Sequence, residues 1–182
     1  MKTICIYGAA SDNIDGKYIE EAEKLGFALG SEGYAMIYGG GATGLMGASA
    51  RGMVRAGGKV IGVTPRFMHG IEPLFDCTEL INTNTMAERK EAMESNADAF
   101  VIVPGGIGTF DEFFQVLTLK ELGQLGDKPI LIFNINGYYD ELYAMMKAAN
   151  EKGFFRPPVM GLFTMCDTAQ EVVAEIKKQL NA

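Results

Sequence analysis

Six short apolar runs, each followed by an amphipathic stretch, limit what this chain can fold into more than any other feature. The runs are TICIYGA (3–9), AMIYGG (35–40), KVIGVTP (59–65), AFVIVP (99–104), PILIFN (129–134) and LFTMC (162–166). Their apolar residues are nearly continuous, the pattern of strands buried on both faces. Helical periodicity occupies residues 15–32, 44–56, 85–95, 109–123, 138–151 and 168–180 between and after them. Strand–helix alternation of this kind predicts βαβ units. With 182 residues and no linker or repeat, the expected fold is α/β: a single-domain, Rossmann-like parallel sheet over residues 1–182 with helices on both faces.

Charge and cysteine usage narrow the partners. Acidic side chains number 23 against 16 basic ones, a formal net charge of -7. A dedicated nucleic-acid binder would show a basic surface, so no nucleic-acid partner is expected. A small anion remains compatible, because backbone dipoles hold phosphate on an acidic protein. Cys5, Cys77 and Cys166 are far apart and form no Cys-x-x-Cys pair, as expected of reduced thiols in a cytosolic protein. No apolar run approaches the ~20 residues of a membrane helix, and the N-terminus enters a strand directly. A soluble, cytoplasmic protein is expected, with no membrane partner.

In parallel α/β sheets, ligands lie outside the carboxyl ends of the strands. Four strand exits carry small or unusual residues: YGAAS (7–11), YGGGATG (38–44), VTPRF (63–67) and VPGGIGT (103–109). GGGATG, with Gly40 and Gly41, matches the dinucleotide pattern G-x-G-x-x-G, but follows the second strand and lacks the acid expected about twenty residues later. Arg66 leaves an NADP reading open. PGGIGT is more specific. Gly105, Gly106 and Gly108 let N–H groups converge, and Ile107 and Thr109 lie where a helix begins, so a phosphate monoester is the natural guest.

Two acids follow that turn. Thr109-x-x-Glu112 has capping-box spacing, as do Thr85-x-x-Glu88 and Thr168-x-x-Glu171. By pattern alone Glu112 reads first as a cap, and Asp111 as a helix-start charge. In TMAERKEAM (85–93), Met86, Arg89, Lys90 and Met93 share one helix face. Lys90 can pair with Glu94 one turn on, whereas Arg89 meets Met93 there. A snorkelling arginine and a site residue both remain open for Arg89. His69 is the only histidine, so no histidine-based metal cluster or Ser/His triad is expected.

GGGATGLMG (39–47), MAERK (86–90) and PGGIGTFDE (104–112) occur in the order and spacing of the Lonely Guy family, and the resemblance covers nearly the whole chain. Members are cytokinin riboside 5′-monophosphate phosphoribohydrolases, a family long labelled lysine decarboxylase. The resemblance implies a homodimer that hydrolyses the N-glycosidic bond of adenine-type nucleoside 5′-monophosphates without metal or cofactor. It implies Arg89 and Glu112 as the catalytic pair, with Gly105–Thr109 on the phosphate. Met86, Lys90, Gly40 and Gly41 complete the candidate substrate-binding set. Many members have Met-His-x-Arg-Lys where this chain has Ala87. A carboxylate at a helix start should stay ionised, which suits Glu112 to act as a base or cation stabiliser. Relatives of this fold include molybdenum-cofactor carriers, so a non-catalytic nucleotide or cofactor carrier is the alternative, ahead of an NADP-linked oxidoreductase.

Overall fold

A computed structural model describes residues 1–156 and 158–180. The expected domain bounds therefore include Pro157, Asn181 and Ala182, which lie outside the described residues. The strands are β1 (Thr3–Tyr7), β2 (Ala35–Tyr38), β3 (Val60–Pro65), β4 (Glu79–Thr83), β5 (Ala99–Ile102), β6 (Ile130–Phe133) and β7 (Thr164–Cys166). The helices are α1 (Gly16–Ser31), α2 (Gly44–Arg55), α3 (Met86–Asn96), α4 (Ile107–Glu121), α5 (Asp140–Glu151) and α6 (Ala169–Leu180).

All seven strands are parallel, in the order β4-β3-β2-β1-β5-β6-β7. The strands alternate their side chains between two cores, as a pleat of period two requires. Ile4 and Ile6 of β1 face α1, α2 and α6, whereas Cys5 and Tyr7 face α3, α4 and α5. The same division holds in β5, with Ala99 and Val101 on one side and Phe100 and Ile102 on the other. Helices α1 and α2 touch backbone to backbone, because a methyl at Gly26 would overlap Ser49 and one at Gly52 would overlap Glu23.

Strand β4 was not expected. It pairs only with β3, and its residues are mostly exposed, so it carries no apolar run. A polar edge strand of this kind blunts edge-to-edge association. The chain builds β1 to β4 outward in one direction, then returns to place β5 on the other side of β1. Loops leaving β1 and β5 therefore diverge, which opens a crevice at the carboxyl edge of the sheet. Among the described residues, no helix is long and apolar enough to cross a membrane.

Candidate active site

The four strand-exit loops meet in one cleft of about 390 Å³, within the range of roughly 300–1,000 Å³ usual for small-molecule sites. Ala9, Ala10 and Ser11 come from the first exit, Gly39 and Gly41 from the second, Thr64 and Pro65 from the third, and Gly106, Gly108 and Thr109 from the fourth. Arg89 and Glu112 reach the cleft from α3 and α4.

Helix α4 starts at Ile107, two residues before the expected start, with Gly106 as its N-cap and no side-chain cap. Thr109 is thus inside the first turn and buried, and its hydroxyl fills the space a side chain on Gly105 would need. That shift of phase decides Glu112. In the other two boxes the acid reaches back past the threonine cap to the N–H of the residue before it, a variant of the motif. Glu88 accepts from the Asn84 N–H at 2.8 Å while Thr85 accepts from the Glu88 N–H at 3.1 Å. Glu171 and Thr168 make the same exchange at 2.7 and 3.2 Å. Glu112 lies one turn into α4, only 8% exposed, and does not cap. Its Oε1 accepts from Arg89 Nη1 at 3.2 Å.

Arg89 is fixed from three sides. Its Nε donates to the Val63 carbonyl at 3.2 Å, Nη1 meets Glu112, and the guanidinium packs closely against Gly39. A methyl at Gly39 would overlap the guanidinium, so the glycine is there for close approach. Gly39 escaped the sequence reading because a G-x-G-x-x-G turn explains its glycines without reference to a distant arginine. Snorkelling is not the role of Arg89, since its guanidinium is bonded to Val63 O and Glu112 and the side chain is only 12% exposed.

Burial pushes the Glu112 carboxyl up to about 7, against the opposing pull of the Arg89 guanidinium, and Asp111 adds to the rise. The expectation that helix-start stabilisation keeps Glu112 fully ionised therefore fails. Loss of hydration outweighs a dipole whose influence fades within the first turn. The group is poised between its two forms near neutrality.

The remaining candidates are spread around this centre. Met86 and Gly41 line the cleft with Arg89. Gly40, next to Gly41, has φ +81° and is not itself in the lining. Gly105 sits behind Gly106, and Ile107 points to solvent. Lys90 does not pair with Glu94. It meets Asp111 Oδ2 at 3.0 Å, because α4 presents Asp111 closer than the next turn of α3 presents Glu94. Asp111 is thus held by Lys90, and the expected role as a helix-start charge does not hold, because α4 begins at Ile107 and its first turn contains no acid. Ala87 is exposed on α3, away from the cleft wall. Met46, Met68, Glu72 and Leu74 also line the cleft and were not anticipated as site residues. Met46 falls within GGGATGLMG, but residues 68–77 carry no motif, so only the tertiary fold reveals Met68, Glu72 and Leu74.

Fold and cleft together define a Rossmann-like protein in which an uncapped helix start lies beside an arginine–glutamate pair. The particular family follows from comparison. The family model described as "Possible lysine decarboxylase" matches residues 46–176, and the chain belongs to that family. A cytokinin riboside 5′-monophosphate phosphoribohydrolase of Mycobacterium tuberculosis is 36% identical over 94% of this chain and 91% of its own. One from Arabidopsis thaliana is 33% identical over 98% of this chain and 83% of its own. The molybdenum cofactor carrier protein of Chlamydomonas reinhardtii shares the fold, with a TM-score of 0.77, 22% identity, and 100% and 99% of the two chains covered.

Proposed function

We propose that the protein hydrolyses the N-glycosidic bond of adenine-type nucleoside 5′-monophosphates, AMP or cytokinin riboside 5′-monophosphates, to free base and ribose 5-phosphate. One observation carries the reading: a buried Arg89–Glu112 pair lies one helical turn from the uncapped start of α4, in the same cleft. The relatives named as phosphoribohydrolases support the same reaction.

The 5′-phosphate sits on the N–H groups at the start of α4, where the helix dipole favours an anion. This remote contact positions the ribose for reaction. As the C1′–N9 bond breaks, positive charge grows on the anomeric carbon and negative charge on the purine. The Glu112 carboxylate faces the first and takes a proton from the attacking water, whose oxygen bonds to C1′. Arg89 holds that carboxylate in place and offsets the charge on the departing purine anion, which takes its proton from solvent while Glu112 returns the water's proton to solvent. A base with a pKa near neutrality is well matched to this task.

The chain works as one domain, without metal or cofactor, in the cytoplasm. It pairs with a second copy through the apolar groove that Phe114, Leu117, Leu122 and Phe154 line between α4 and the end of α5, where Leu122 and Phe154 are exposed. Light scattering of a Phe154→Asp variant should then report a monomer. Incubation with AMP, an N6-modified AMP and adenosine, followed by chromatography, tests the activity. Base and ribose 5-phosphate are expected in equal amounts from the monophosphates, with adenosine far slower. Equal rates on adenosine would remove the phosphate from the mechanism.

A further inference from the structure

The loop before α4 is held by its carbonyl oxygens, in unbroken sequence. Val103 O accepts from the Tyr139 hydroxyl at 2.8 Å, and Pro104 O from the Ala9 N–H at 3.1 Å. Gly105 O accepts from the Tyr138 hydroxyl at 2.7 Å, and Gly106 O from the Phe110 N–H at 3.0 Å. In a trans peptide the carbonyl and the following N–H share a plane and point opposite ways. Fastening Gly105 O on the Tyr138 side therefore turns the Gly106 N–H to the other side, where Gly106 lines the cleft.

The link between Gly105 and Gly106 is the one that most needs such a hold. With a glycine on each side, this peptide has the fewest steric barriers to rotating out of line. Three of its neighbouring carbonyls are tied by backbone N–H groups or by a core residue. Gly105 O depends on Tyr138, which is not a core residue. Tyr138 is 40% exposed, and its ring, edge-on to Tyr18 at 6.1 Å, walls a small adjoining cavity with Ile14 and Pro104, with Gly106 on the border between it and the cleft. Tyr139, by contrast, is 1% exposed and packs edge-on to Phe110 within the core.

We propose that Tyr138 is a positioning residue of the anion site, its hydroxyl locking the Gly105–Gly106 peptide so that the Gly106 N–H is presented to a phosphate. The proposal rests on the reading of the α4 start as the phosphate site. It assigns adjacent tyrosines different work: Tyr139 fastens the core, and Tyr138 sets the direction of one N–H.

Tyr138→Phe keeps the ring and removes only the hydroxyl. Binding of ribose 5-phosphate, measured by calorimetry, should weaken about tenfold, the order expected for one misdirected hydrogen bond to a charged group. KM for AMP should rise by a similar factor, with kcat, kcat/KM on adenosine and thermal midpoint unchanged. A merely structural role would instead lower the midpoint and impair AMP and adenosine alike, which overturns the proposal. If AMP is cleaved and bound equally well by both proteins, the hydrolase reading stands and the role of Tyr138 is overturned. If neither protein releases base but ribose 5-phosphate still binds less well to Tyr138→Phe, the role of Tyr138 stands and the hydrolase reading falls.

Discussion

The turn before α2 and the turn before α4 are both glycine-rich, and both leave the carboxyl end of a parallel strand at the same cleft. They differ in who owns the helix start. At α2, Asp12 from the loop after β1 accepts the Gly44 N–H at 2.8 Å, and the Thr43 hydroxyl is tied to Ala10 O at 2.6 Å. The chain has supplied its own anion there. At α4 no side chain caps the helix, the preceding carbonyls are occupied, and the N–H groups are left toward the cleft. A dinucleotide pyrophosphate would need an open helix start of the kind α2 lacks. Glycine content alone cannot tell a closed turn from an open one. The acceptors around the turn can.

The second turn still contributes, through a different property of glycine. Gly39 leaves room for the Arg89 guanidinium, so Gly39→Ala should push it out of line with Glu112. Loss of kcat on the order of 10²-fold is expected, the scale of a ~1 Å misplacement of a catalytic group. Unchanged turnover would break the link between the two turns. A pH profile gives a smaller but diagnostic effect. With the Glu112 carboxyl at about 7 and its charged form acting as base, kcat/KM should rise roughly tenfold between about pH 6 and pH 8. A fall over that range would make Glu112 an acid. The same shift acts on stability. Because the folded state favours the protonated group above its ordinary 4.5, this contribution is full below 4.5 and lost as pH rises through about 7. Glu112→Gln should therefore gain stability relative to the unaltered protein over that window, read by denaturation at each pH. The least effect belongs to the closed turn. Asp12→Asn keeps an acceptor for Gly44 and removes the charge, so stability should drop by about 0.5–1 kcal/mol with KM for AMP unchanged. A raised KM would mean that the closed turn also serves the ligand.

The parallel sheet was legible because strands covered on both faces must be apolar throughout, as in AFVI of β5. Strand β4 was not, because an edge strand with exposed Glu79 and Asn82 obeys no such demand. The α4 turn and the acid beside it could be read from spacing, but the use of Glu112 could not. Thr85, Thr109 and Thr168 stand the same distance from a glutamate, and only the point at which each helix begins separates caps from a buried pair. That point depends on Gly106 and on the room Gly105 leaves for Thr109. Met68, Glu72 and Leu74 enter the cleft from a loop with no local signature. Their placement follows from tertiary packing alone.

If one cleft anchors a phosphate at the start of α4 and breaks the glycosidic bond at Glu112, substitution of the acid should separate the two. Adenine release from AMP by the unaltered protein and by Glu112→Gln, with ribose 5-phosphate binding followed on the same samples, tests it most directly. Release should fall by about 10³-fold or more in Glu112→Gln, the upper part of the range for a general base, with binding retained. Release at the unaltered rate, or binding lost together with release, would contradict it.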